Sequence, residues 1–188
     1  MAPLPPSDTR TLQAIGARRA SAGTPTPADL VARLRSESAK GEELVSLFDA
    51  RSIAGERHLL SAWAHLGRSR TRGESRLRVR GAEYALWVAG DDQLPRALAK
   101  VGLSDDSEQF VLVTEKPRDL AALLAAFGLA ADPTAYPRSA DATTLERLGI
   151  SREERELVPP AGWEGLVLER VAMLELSPAK AGAPTPKH

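Results

Sequence analysis

The sequence predicts an α+β domain: a single small mixed, mostly antiparallel sheet of three or four strands packed with about five helices. Three observations lead there. Apolar residues recur at helical spacing in several separate stretches. Short apolar runs at 44–48 and 110–114 have strand length and end at polar residues. The 188 residues, 43% hydrophobic and 27% charged, fit one globular core of ordinary composition.

Residues 1–41 are rich in Ala, Pro, Ser and Arg and read as a partly disordered N-terminal extension. Its first eight residues are expected to be disordered. Leu30, Val31 and Leu34, with Asp29 as a cap, predict a short helix at 28–39. The globular part is expected at 42–176. Leu44–Phe48 is the first strand. Leu59, Trp63 and Leu66 lie at i, i+4, i+7, which predicts a helix from about residue 55. Tyr84, Leu86 and Val88 alternate with Ala85, Trp87 and Ala89. Both sets are apolar, so this stretch reads as an interior strand.

Asp91 and Asp92 suggest a cap, Pro95 suits a first helical turn, and Leu94, Ala97, Leu98 and Val101 make a buried face ending at Gly102. Asp105-Asp106 reads as an exposed turn. Phe110–Thr114 is a strand. The order strand, helix, strand over 83–114 permits a crossover and a partly parallel sheet. A helix follows Pro117, with Leu120, Leu123, Leu124 and Phe127 on one side and Gly128 as its stop. A loop carries Pro133 and Pro137. Ser151 and Glu154 have capping-box spacing. Trp163, Leu166, Val167, Val171 and Leu174 form the last helix. Residues 177–188 read as a disordered tail.

The chemistry expected from these residues is sparse. There is no cysteine, which excludes a disulfide scaffold, a cysteine nucleophile and a thiolate metal site. His58 and His65 lack a third ligand at metal-site spacing, and their plainer reading is partly exposed helix residues. Loops that cradle phosphate and the serine-nucleophile elbow are missing from the sequence. No catalytic residue, cofactor or metal is therefore expected. No apolar run has the length of a membrane span and no secretory signal is legible, so a cytoplasmic protein is expected.

Charge is the feature that stands out. Lys plus Arg equals Asp plus Glu at 25 each, yet the charges are segregated. Residues 57–80 hold seven arginines against Glu74 alone, a net +6, while the rest of 42–176 stands at −11. Arg76, Arg78 and Arg80 alternate with Leu77 and Val79, and in an extended segment they would face one way. They form a candidate rail for a phosphate backbone. The plainer reading is a solvated arginine-rich loop. Trp63, Trp87 and Trp163 lie on apolar stripes and read as core or interface anchors rather than base-stacking platforms.

Several blocks together resemble a known family. They are Phe48-Asp-Ala-Arg-Ser-Ile53 with His58-Leu-Leu-Ser-Ala62; Leu77 and Glu83; Gly90-Asp-Asp-Gln-Leu94 with Ala97-Leu98 and Gly102-Leu103; and Leu157 with Leu168-Glu-Arg-Val-Ala172. Their order and spacing over about 43–176 are similar to the small KEOPS (EKC) subunit, the family of the PRPK-binding protein TPRKB, in its archaeal type. The 1–41 extension and the tail lie outside the resemblance. Asp91-Asp92 is acidic where archaeal relatives are often basic.

The resemblance implies a non-catalytic subunit. It would bind the complex's atypical kinase/ATPase and, as in archaeal relatives, hold tRNA by its 3′ CCA end. The complex makes N6-threonylcarbamoyladenosine at position 37. On this reading Arg72, Arg76, Arg78 and Arg80 meet tRNA. Leu94, Leu98, Val101, Trp163, Val167 and Val171 belong to the kinase-docking surface. No membrane and no small-molecule substrate is implied. Two alternatives stand beside it: a protein–protein adaptor of the same fold that does not touch RNA, which internal pairing of the arginines would favour, and a small enzyme using His58 or His65.

Overall fold

The computed structural model describes residues 12–20, 25–39, 43–115, 117–136 and 138–177. The expected disorder of the first eight residues and of 178–188 falls outside these. Four strands form one sheet: β1 (Gln13–Arg19), β2 (Val45–Asp49), β3 (Gln109–Thr114) and β4 (Leu129–Ala131). Their spatial order is β2-β3-β1-β4, and every neighbouring pair is antiparallel. Among the described residues there are eight α-helices, against the five expected. They are α1 (Pro27–Ala39), α2 (Glu56–Thr71), α3 (Arg80–Ala89), α4 (Leu94–Val101), α5 (Leu120–Phe127), α6 (Ala142–Arg147), α7 (Arg152–Glu156) and α8 (Trp163–Leu176). The fold class is α+β.

Alternation along β3 divides the core. Phe110 and Leu112 face one side, where Leu30 of α1 and Leu123, Leu124 and Phe127 of α5 cover them. Val111 and Val113 face the other, beneath α2, α3, α4 and α8. Helices therefore cover both faces of an antiparallel sheet.

The largest departure from the sequence reading is at 84–89. This stretch is the body of α3, not a strand, and every residue from Glu83 to Ala89 is buried. A segment apolar on all sides suits a helix enclosed all round as well as an interior strand. The left-handed Gly90 (φ 59) ends it, its N–H bonding back to Leu86 and Trp87. A Cβ on Gly90 would stand 3.1 Å from the backbone of Arg170, so glycine also lets α3 close on α8. With that strand gone, the expected crossover disappears and no parallel pair is formed among the described residues.

The sheet also reaches outside 42–176. β1 comes from the expected extension and lies between β3 and β4, with Ile15 opposite Leu112 and Ala17 opposite both Phe110 and Ala131. Its small residues concealed it in the sequence, yet one of them is required. A Cβ on Gly16 would fall 2.3 Å from the Asp132 carbonyl oxygen, where the chain after β4 folds over the strand. The stretch expected to be a loop after α5 also contains β4 and α6, the latter capped by Asp141, whose carboxylate accepts from the Thr144 N–H at 2.8 Å.

Both helix histidines differ from the expected partial exposure. His58 has no exposed surface: Nδ1 accepts from the Ala54 N–H at 3.2 Å and Nε2 donates to the Val88 carbonyl at 2.8 Å. Burial pushes its pKa down to about 4, although the bond to Val88 works the other way. The folded chain thus holds the ring neutral while the unfolded chain binds a proton near pH 6.5. Stability from this group is complete above pH 6.5 and is lost as pH falls toward 4, by about 3 kcal/mol at most. Urea unfolding at pH 7 and pH 4.5 should show a fall in stability that is smaller in His58→Gln than in the wild type. Equal pH slopes would contradict the assignment.

Candidate nucleic-acid interface

The arginine segment is the end of α2 and its connection to α3. α2 is amphipathic and buries Leu59, Ala62 and Leu66. It ends at Thr71, and the chain turns through Gly73 (φ 72). Ser69 receives the Glu74 N–H at its carbonyl and donates Oγ to the Glu74 carbonyl, both at 2.8 Å. Beyond this turn, residues 74–79 form no strand.

Glu83, with no exposed surface, explains their path. Its carboxylate accepts from Arg70 Nε at 3.0 Å and from the Arg76 backbone N–H at 2.7 Å. Arg70 Nη2 in turn donates to the carbonyls of Leu77 and Arg78, each at 3.2 Å. The connection is wound around this pair, so Arg76, Arg78 and Arg80 do not share one face.

Each arginine then has its own place. Arg76 turns toward the end of α8 and donates to the carbonyls of Leu174 and Ser177 at 2.8 and 2.6 Å. The Leu174 carbonyl also receives the Ser177 N–H at 3.2 Å, so Arg76 adds a second donor to the C-terminal turn of α8. The Arg76 guanidinium also lies 5.5 Å from the Trp87 ring centre. Arg80 is 17% exposed, paired with the buried Glu115 at 2.7 Å and set over Trp63. Arg72 bonds Glu74 and Glu175, both at 2.7 Å. Arg78 is exposed and makes no ion pair among the described residues. The expected four-arginine set is therefore corrected: Arg72 and Arg78 face solvent, while Arg76 and Arg80 are turned inward.

Four carboxylates distant in sequence fold against the segment: Glu83 on Arg70, Glu115 on Arg80, Glu164 on Arg57 and Glu175 on Arg68 and Arg72. Counted with Glu74 against the seven arginines, they reduce the net +6 of the sequence to +2. Sequence reasoning missed these partners because they lie on α3, after β3 and on α8.

Beside them is an open cleft of about 330 Å³ lined by Ser69, Arg72, Glu74, Arg76, Trp87, Glu175 and Ser177. His65 stacks on Trp87 at 5.3 Å and places Nδ1 2.6 Å from Glu175. Burial, followed by the nearby Arg68 charge, lowers the His65 pKa despite Glu175. Nδ1 also lies 2.9 Å from Arg68 Nη2, and the tautomer with its proton on Nδ1 is the one that donates to the carboxylate. Glu175 itself is drawn down to about 2, chiefly by the hydrogen bond from Arg72.

The expected docking surface is also corrected in part. Val101, Val167 and Val171 are buried in the core, so none of them can meet a partner. Leu94 and Trp163 are half-buried against it. Leu98 is 48% exposed. Missed by the sequence reading were Met173 and Leu176 on α8, 59% and 75% exposed. Their signal was legible: both are apolar residues off the 163, 167, 171, 174 stripe.

The blocks that carry the family resemblance are mostly scaffold. Buried Asp49 accepts from Arg51 and from Ser107 Oγ, with Arg147 3.4 Å away. Ser52 Oγ donates to the Lys100 carbonyl at 2.7 Å and accepts from Arg147 Nε at 3.0 Å. This network joins β2 to α4 and α6. Asp91 does not cap α4, whose N-cap is Gln93; it braces the preceding turn by accepting from the Gln93 N–H and from Arg96. Asp106 of the expected turn pairs with Arg51. Among the described residues no group of three His, Asp or Glu is placed to hold a metal, and no helix is long and apolar enough to cross a membrane. No protein-family model and no curated protein matches the sequence.

Removing Glu83 leaves the half-buried Arg70 and the Arg76 N–H without their shared acceptor. Glu83→Ala should cost about 3 kcal/mol or more in denaturant unfolding, whereas Arg78→Ala should stay within about 0.5 kcal/mol. Similar costs for the two variants would contradict this account of the connection.

Proposed function

We propose that the protein is a non-catalytic subunit of a KEOPS-type complex. It binds the atypical kinase/ATPase subunit and recruits tRNA by its 3′ CCA end for N6-threonylcarbamoyladenosine formation at position 37, in the cytoplasm. The observation that supports this most is where the resembling blocks meet. Phe48, Ile53 and Leu59 of the first block share one core cluster with Ala97 and with Val171 of the last, and Gly90 closes on Arg170. The resemblance is thus carried by residues that build one scaffold, and the function proposed from it is an inference by family likeness.

Leu98, Met173 and Leu176 supply exposed apolar side chains on the two helices assigned to kinase docking. Arg57, Arg68, Arg72 and Arg78 supply the outward cations for RNA. A second reading, an adaptor of the same fold without RNA binding, is favoured by the inward commitment of Arg70, Arg76 and Arg80.

A pull-down with the cognate kinase subunit, with and without total tRNA, tests both. The wild type should retain the kinase, and Leu98→Asp combined with Met173→Asp should weaken capture about tenfold. Arg78→Glu should leave kinase capture unchanged and lower tRNA retention. Kinase capture without tRNA retention would select the adaptor, and loss of both would remove the KEOPS reading.

A further inference from the structure

Glu175 is held as an oxyanion. Its Oε1 accepts from Arg72 Nη2 at 2.7 Å, and its Oε2 has Arg68 Nη2 at 3.3 Å and His65 Nδ1 at 2.6 Å. Two guanidinium groups and an imidazole N–H converging on one site form a suitable set of donors for a phosphate. Arg72 and Glu175 line the cleft beside Trp87, together with Glu74, which Arg72 also pairs. The turn that delivers Glu175 is the last of α8, and it is thinly packed. Leu174 is buried there, but Met173 and Leu176 on either side of Glu175 are largely exposed.

We infer that Glu175 is an internal competitor for a phosphate site made by Arg68, Arg72 and His65, so that the last turn of α8 closes this site until an RNA phosphate displaces the carboxylate. This deepens the RNA reading above and rests on it. It also accounts for a basic segment whose cations are so largely occupied by the chain's own acids. Displacement requires only the last turn to move. The Arg76 bonds to the Leu174 and Ser177 carbonyls are the contacts that would re-form or rearrange with it.

Filter-binding titrations with total tRNA at several salt concentrations test the inference. Glu175→Gln removes the charge and keeps the shape. It should bind about tenfold tighter than the wild type, with a salt slope steeper by about 1. Adding Arg72→Gln to that variant should cancel the gain. If the wild type binds and Glu175→Gln is no tighter, the competitor is wrong while the RNA reading stands. If neither binds, both are wrong. Melting curves are taken for Glu175→Gln and Glu175→Ala, and the comparison is read on a variant that keeps the wild-type transition. Loss of folding in both would make the last turn structural and would also overturn the inference.

Discussion

Glu83 sits on α3 with no exposed surface, where an isolated carboxylate would cost several kcal/mol in lost hydration. It is tolerated because the connection before α3 brings donors to it: Arg70 from α2 and the backbone N–H of Arg76. That requirement sets the course of the whole arginine segment. The chain cannot run extended from 74 to 79, so the alternation of arginine with apolar residues carries no facing information there. Arg76 is sent toward α8, and Arg80, at the start of α3, toward Glu115. The course of the arginine segment is thus a consequence of one ion pair on a buried carboxylate and the backbone wound over it.

The layers explain why exposed apolar side chains are confined to helix ends and outer faces. An antiparallel sheet with helices on both sides offers no open sheet face, and β3 and β1 are paired on both edges. α8 crosses α2 and α3, burying Val167, Val171 and Leu174. Its Met173 and Leu176 have only solvent or a partner to face. The same helix brings Glu164 and Glu175 to the arginines, so one element contributes both to the candidate docking surface and to the neutralisation of the basic segment.

Much of this was legible in the sequence and some was not, for identifiable reasons. The stripe Leu59, Trp63, Leu66 gave α2 because it marks one helix face, and Phe110–Thr114 gave β3 because a short, β-branched run buried on both faces has strand length. The capping box at Ser151 and Glu154 is present in full. α3 was misread since apolar residues on every side erase the period that separates helix from strand. β1 was missed because Ala14, Gly16 and Ala17 are chosen for close approach, not for hydrophobic bulk. The arginines themselves were legible as a charge excess. Their partners were not, since a pairing between residues 72 and 175 is a property of packing and leaves no local pattern.

Neutral composition therefore arises at two levels in this chain. The sequence separates +6 from −11, and the fold returns acids to the basic segment until +2 is left. Arginine modification by phenylglyoxal, followed residue by residue with peptide mass spectrometry on the native wild-type chain, tests this most directly. The account predicts that Arg57, 73% exposed, and the unpaired Arg78 react fastest, while Arg70, Arg76 and Arg80 react slowly until the chain is unfolded. Similar native rates at all seven arginines would contradict it.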